Sequence, residues 1–316
     1  MSPYHYTAQQ LAVDGVDTVQ LADAVSQTEL GIVPGVGNMA YQWNVSGRNY
    51  LYFPYTSLAE FARAPRLCGV PFLGPWANRL DSDAYWANGK RYALNPALGN
   101  LRRDGNGLPI HGTLTADGGW ELVRVATDAR SAVLVGRLDV GARPELLASF
   151  PFPHELTVEY RLDATTLTVA TTLRATGRRR VPVSFGWHPY LRLPGVRRNA
   201  LRVVLPVCRH LELDERGIPT GVGHKRPAEA QPLGSRTFDD LFALARDHRL
   251  GLEGGGHSLR VLFDRNYGYA QVYAPADQNF VALEPMTAPI DALGSGTCPF
   301  VSPGQTFTAR FSITIA

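Results

Sequence analysis

Four short segments set polar or ionisable side chains among prolines, glycines and aromatics. They are Gly69–Leu80, with Asn78 and Arg79; Leu108–Gly112, with His111; Phe185–Leu191, with Trp187 and His188; and Leu283–Pro289, with Glu284. A packed core would be apolar at such places, and a solvated loop would carry fewer aromatics. Segments of this kind, held on a rigid scaffold, are where binding and chemistry concentrate. Histidine and glutamate suit proton transfer near neutral pH, and each positioned transfer is typically worth about 10² to 10⁴ in rate. Each residue also has a plainer reading. A histidine is more often structural than catalytic, Glu284 ends an apolar run and would pair with an arginine, and Arg79 would be that arginine. Against this, Pro285 removes a backbone donor directly after Glu284 and fixes the chain's exit, which suits a carboxylate held rigidly at a cleft.

Other chemistries find no local support. Gly35-Val-Gly37-Asn-Met-Ala40 has the outline of a dinucleotide fingerprint, but the residues after it alternate like a strand where a helix is required, so it reads as a turn. No phosphate loop and no His-Glu-x-x-His is present. Cys68, Cys208 and Cys298 are odd in number and widely spaced, which fits neither a disulfide framework nor a zinc ribbon. The expectation is a protein needing neither metal nor nicotinamide. Lys and Arg total 31 against 28 Asp and Glu, and the basic residues are scattered apart from Arg178-Arg179-Arg180, which argues against nucleic acid as a partner. The N-terminal Met-Ser-Pro-Tyr-His-Tyr-Thr lacks a basic start followed by an apolar stretch, and no apolar run reaches the roughly 18 residues of a membrane span. A cytoplasmic setting without membrane contact is expected.

The elements that must position these residues read as strands. Among the 316 residues, 45% are hydrophobic and 19% charged, enough apolar surface for a core, and 31 glycines and 23 prolines punctuate short alternating runs. Met39, Tyr41, Trp43 and Val45 alternate, Ser46-Gly47 turns the chain, and Tyr50–Phe53 continues as a second strand. Ala84–Ala87, Asn88-Gly89 and Lys90–Leu94 form the strongest hairpin signal, because Asn-Gly takes the positive φ of a type I′ turn. Leu156, Val158, Tyr160 and Leu162 share one strand face, Leu167, Val169 and Leu173 the next, and Phe307, Phe311, Ile313 and Ile315 close the chain. Helix signals are short. Ser57 and Glu60 have capping-box spacing with a stop at Pro65, and a second helix is expected over Phe238–Ala245. Gly254-Gly255-Gly256 reads as a turn. With no repeat and no linker, the economical architecture is one large all-β antiparallel sandwich spanning residues 1–316 as a single domain.

In their order and residues, the four segments resemble the aldose 1-epimerase family, also called galactose mutarotases, and the strand pattern extends the likeness over nearly the whole chain. The resemblance implies a β supersandwich with a monosaccharide in an open cleft, and interconversion of the α and β anomers of a free aldose. It implies His188 as the acid at the ring oxygen and Glu284 as the base at the anomeric hydroxyl. Arg79, His111 and Asp239 are implied as substrate-positioning groups, with Asn78 beside them and Trp187 against the ligand. In Phe238-Asp-Asp-Leu-Phe242, either Asp239 or Asp240 could face the sugar. Opening a cyclic hemiacetal removes a proton from the C1 hydroxyl while delivering one to the ring oxygen, so an acid and a base must flank the sugar. Three other functions compete. A hexose-6-phosphate 1-epimerase would need cations at the rim, for which Arg102 and Arg103 are candidates. A non-catalytic carbohydrate-binding protein would need no acid and base, and a glycosidase would need two carboxylates, such as Asp239 with Glu284.

Overall fold

Alternating burial builds the main sheets. A computed structural model describes residues 5–316; Met1–Tyr4, the start of the N-terminal segment read above, lie outside the described residues. His154–Asp163 and Thr166–Ala175 pair over their full length around a turn in which Ala164 has φ +48°. Each buries every second side chain, including Leu156, Val158, Tyr160 and Leu162 on one strand and Leu167, Val169 and Leu173 on the other. Thr306–Ile315 joins Thr166–Ala175, and these three strands are the centre of a nine-stranded antiparallel sheet.

A second sheet of eight strands carries the segments of interest. Its order is Pro219–Arg226, Cys208–Leu213, Phe238–Leu244, Tyr269–Ala274, Val281–Met286, Gly186–Trp187 and Phe72–Leu73, with Tyr190–Leu191 also paired to Val281–Met286. One of its faces packs on the nine-stranded sheet. Trp187 makes that junction: its ring is fully buried among Tyr160 and Phe311 of the larger sheet, and its indole N–H donates to Thr171 Oγ1 at 3.0 Å. The N-terminal strands, Tyr6–Val13 through Arg48–Asn49, form a five-stranded meander beside the two sheets. The resulting architecture is all-β; among the described residues, α-helix is confined to two segments of six residues, Leu58–Arg63 and Pro144–Ser149.

The local turn chemistry follows the sequence closely. Ala84–Ala87 and Lys90–Ala93 pair across Asn88 and Gly89, both at positive φ. Ser57 caps Leu58–Arg63 by accepting the Glu60 N–H at 3.1 Å, while the Glu60 carboxylate reaches back one residue further than the usual box, to the Thr56 N–H. The Gly35–Asn38 stretch is a turn between Thr28–Val33 and Met39–Val45, and Gly255 and Gly256 form the turn between Arg249–Gly254 and His257–Phe263.

Two expectations fail. Phe238–Ala245 is not a helix: Phe238–Leu244 is a strand between two others. Phe238, Leu241 and Phe242 are buried at a spacing that imitates a helical stripe because this strand is covered on both faces, which hides the alternation. Tyr50–Phe53 is not a regular strand either. The paired part after the turn is Arg48–Asn49, and beyond it only Leu51 bridges, to Leu191. Among the described residues, no helix is long and apolar enough to cross a membrane.

Candidate active site

The strand register brings His188 and Glu284 together. Gly186 pairs with Met286 and Tyr190 with Ala282, so counting along both strands places His188 opposite Glu284. Regular pairing lapses between those two points, where Pro189 and Pro285 each lack a backbone donor. The His188 N–H turns instead to the Pro71 carbonyl at 3.1 Å. Its side-chain Nε2 lies 3.2 Å from Glu284 Oε1, with the two side chains only 5% and 1% exposed. Tyr190 stacks on the imidazole, with centroids 4.2 Å apart and planes 13° from parallel, and His111 meets it edge-on at 5.5 Å.

Around this pair lies a cleft of about 270 Å³ lined by Asn78, Arg79, His111, Tyr190, Asp239 and Tyr273, among others. A larger hollow of about 390 Å³ beside Val204, Arg249 and Arg260 contains none of these groups. Asn78 and His111 sit on opposed kinks, with φ +58° and +64°, and bind each other twice. The His111 N–H donates to the Asn78 carbonyl at 2.9 Å, and the Asn78 N–H donates to His111 Nδ1 at 3.3 Å. Because Nδ1 accepts, the neutral ring carries its proton on Nε2.

Arg79 is held on every nitrogen. Nε donates to Asp104 at 2.7 Å, Nη1 to the Asn78 side chain at 3.2 Å, and Nη2 to Asp239 at 3.4 Å. Burial alone would raise the Asp104 carboxyl, but hydrogen bonds from Arg79 and from the Leu108 and Asn106 N–H groups together hold it below its ordinary value. Gly217, at φ +78°, lies over the guanidinium, and a Cβ there would stand 2.8 Å from Nη1. Arg79 is therefore not the partner of Glu284.

Register also separates the two adjacent acids. Asp239 lies opposite Tyr273, and Leu241 opposite Gln271, which is in turn opposite Glu284. Asp239, Gln271, Tyr273 and Glu284 thus share the cleft face, and the Gln271 amide donates to Asp239 Oδ1 at 2.6 Å. Asp240 points to the other face and pairs with His210 at 2.8 Å. Neither acid opens a helix.

One expected contact is corrected. Trp187 does not line the cleft; successive residues of a strand face opposite ways, so with His188 toward the cleft its neighbour is committed to the core. Tyr190, in the Phe185–Leu191 segment and two residues after His188, lies on the same cleft face. Two further cleft-face residues, Tyr273 and Gln271, carry no signal in the sequence. Gln271 sits in a strand stretch where Ala270 and Val272 are equally buried, so no periodicity distinguished it. The six other histidines stand outside the cleft lining; His154, for example, is buried with Nδ1 on the Phe152 carbonyl.

Burial sets the protonation of the central pair. It pushes the His188 imidazole down to about 3 and Glu284 well above the ordinary carboxylate range, the latter reinforced by Asp239 and opposed by Arg79. His111 is likewise held well below its ordinary value, first by burial and then by the charges of His188, Arg102 and Arg79. Burial thus favours a neutral imidazole on His188 and draws the pair's proton toward the Glu284 carboxyl. Between about 4.3 and 6.5 the unfolded chain also holds one proton on these two groups, so they give stability no slope there. Below that window the unfolded state gains a proton first, and above it loses one first; stability falls both ways. In Glu284→Gln the carboxyl contribution is gone. Because the folded value of Glu284 is raised, its contribution is present in acid and lost as pH rises. The stability advantage of wild type over Glu284→Gln, from urea unfolding at pH 5 and pH 8, is therefore expected to be larger at pH 5. An advantage that stays the same at pH 5 and pH 8 would mean that Glu284 is held as a carboxylate, ionised in the folded and the unfolded chain alike.

The fold finds its counterpart in known proteins. The family model described as aldose 1-epimerase matches residues 32–314. Among solved structures, a galactose mutarotase-like protein from Clostridium acetobutylicum superposes with a TM-score of 0.87 at 18% identity, covering 99% of both chains. The Slr1438 protein of Synechocystis gives 0.78 at 26% identity, over 97% of this chain and 98% of that one. Galactose 1-epimerase from Lactobacillus acidophilus gives 0.76 at 16% identity, over 98% of each chain. No curated protein matches by sequence. With the family model covering most of its length and the same fold in these structures, the chain belongs to the aldose 1-epimerase family.

Proposed function

We propose that the protein interconverts the α and β anomers of a free aldose by acid–base ring opening and reclosure. The observation that carries this reading is the 3.2 Å contact between His188 Nε2 and Glu284 Oε1 at a cleft of monosaccharide size. The ring oxygen and the anomeric hydroxyl are bonded to the same carbon, so an acid and a base serving both must be close neighbours. His188 and Glu284 lie side by side and need not stand on opposite sides of the sugar. Moving the pair's single proton from Glu284 to His188 creates the base and the acid together. Glu284 then takes the proton of the C1 hydroxyl while His188 gives one to the ring oxygen, and the C1–ring oxygen bond breaks as the aldehyde forms. After rotation about C1–C2 the ring closes on the other face. Glu284 returns its proton to the former carbonyl oxygen, and His188 takes back its own.

Arg79, Asn78, His111 and Asp239 supply donors and acceptors for the remaining hydroxyls, and their mutual hydrogen bonds fix them before the sugar arrives. A glycosidase would use two carboxylates across a scissile bond, whereas the group in contact with Glu284 is an imidazole. A purely binding protein gains nothing from burying a proton-sharing pair, which costs desolvation.

Polarimetry of freshly dissolved α-anomers of glucose and galactose checks the proposal. The protein is expected to hasten equilibration without moving its end point, and Glu284→Gln to lose roughly 10²-fold or more of the rate. A Glu284→Gln enzyme within about threefold of wild type would remove Glu284 from the base role.

Arg102 supports a second reading, an aldose bearing a phosphate. Its carbonyl accepts the Ile110 N–H beside the cleft, its Nε is buried without a partner, and its charge reaches His111 and Tyr190. Arg103 is no candidate for that task, since both its terminal nitrogens bind the Asp83 carboxylate at 2.9 Å. A strong preference for glucose 6-phosphate over glucose that Arg102→Ala abolishes would favour this reading. Equal use of the two sugars would leave the neutral aldose.

A further inference from the structure

The segment that follows Glu284 ends in a residue with an unusual conformation outside the cleft. Asp291 is a non-glycine residue at φ +61°, half-buried, and its carboxyl is pushed up to about 6 by that partial burial. A half-buried carboxylate in left-handed backbone carries both a desolvation and a conformational cost, so its contacts need a reason. They converge on one stretch of chain. The Asp291 N–H donates to the Arg79 carbonyl at 3.0 Å, and Asp291 Oδ1 accepts the Asp81 N–H at 3.0 Å. The seat of the carboxylate depends on a glycine: a Cβ on Gly294 would stand only 1.9 Å from Asp291 Oδ1. Ser295 closes the turn behind it, its N–H and hydroxyl both donating to the Asp291 carbonyl at 2.8 and 2.9 Å.

The placement of this clamp matters because of what precedes it. Arg79 follows the positive-φ kink at Asn78, its own N–H donates to the Asn78 side chain at 2.9 Å, and its backbone makes an isolated bridge to Ile110. Asp291 fixes the other side of the same residue, and it does so from the segment that also carries Glu284. Thr287, midway between Glu284 and Asp291, is tied to the Phe185 carbonyl through its N–H at 3.0 Å and its hydroxyl at 2.8 Å. The Arg79 and Glu284 segments are thereby locked in one geometry.

We propose that Asp291 is a positioning residue of the cleft, holding the Arg79–Asp81 backbone so that the Arg79 guanidinium meets the sugar at a fixed place. This rests on Arg79 being a sugar-binding residue, and the test separates the two claims. Glycine at position 291 keeps the backbone conformation and deletes the carboxylate, and asparagine keeps an acceptor and tolerates positive φ. Gly294→Ala leaves Asp291 in place and fills the carboxylate's seat, so it serves should Asp291→Gly not fold. Mutarotation of glucose and galactose by polarimetry gives kcat and KM for each variant, alone and combined with Arg79→Ala. Asp291→Gly and Gly294→Ala are expected to raise KM about tenfold with kcat within about threefold, and Asp291→Asn to stay near wild type. In the Arg79→Ala background Asp291→Gly should add less than about twofold, because residues acting through one another are not additive. A full tenfold further loss in that background, or an unchanged KM in both Asp291→Gly and Gly294→Ala, would overturn the proposal. A wild-type KM in Arg79→Ala alone would overturn it together with the sugar-binding role of Arg79.

Discussion

Everything at the cleft depends on an imidazole and a carboxylate that face each other across neighbouring strands with almost no exposure to solvent. In water, histidine and glutamate would be ionised at neighbouring pH values; buried together, each is driven toward its neutral form, and the two retain a single proton between them. Such a pair is expensive to bury and is stable only where its geometry is held from outside. The register of Gly186–Trp187 and Tyr190–Leu191 against Val281–Met286 supplies that geometry, and the Tyr190 ring fixes the plane of the imidazole.

The two-sheet architecture exists on both sides of this contact. On the inner side Trp187 anchors the His188 segment to the nine-stranded sheet through Thr171, Tyr160 and Phe311. On the outer side the cleft residues are tied to each other: His111 to Asn78, Asn78 to Arg79, Arg79 to Asp239 and Asp239 to Gln271. A shift of the sheet would move the whole chain of hydrogen bonds, whereas single side chains have little freedom of their own. That is the physical content of preorganisation here, since the polar groups are oriented by the protein before any ligand replaces the water around them.

How much of this could be read from the residues varied with the range of the interaction. The Asn88-Gly89 hairpin, the Ser57 cap and the paired strands around Asp163–Thr165 follow from chemistry within a few positions, and they stand as expected. His188, Glu284, His111, Asn78 and Arg79 were marked by their unusual neighbours, and the fold gathers them around one cleft. What failed was whatever depended on which face of a doubly covered strand a residue occupies. Phe238–Leu244 imitated a helix, and Gln271 was indistinguishable from the buried residues beside it. Trp187 was assigned to the ligand although strand alternation, applied to its neighbour His188, already directed it to the core. The contact between His188 and Glu284 itself needed the register of residues nearly a hundred positions apart, which no local pattern encodes.

The central claim is that burial keeps the His188 imidazole neutral while the pair retains one proton. Nitrogen-15 chemical shifts of the His188 ring, assigned by comparison with a His188→Asn variant, test it directly in the ligand-free protein. The account predicts the shifts of a neutral imidazole from pH 8 down to about pH 5, with no titration near 6.5. An imidazolium signal at pH 7 would contradict it, because the contact with Glu284 would then have outweighed the burial of both groups.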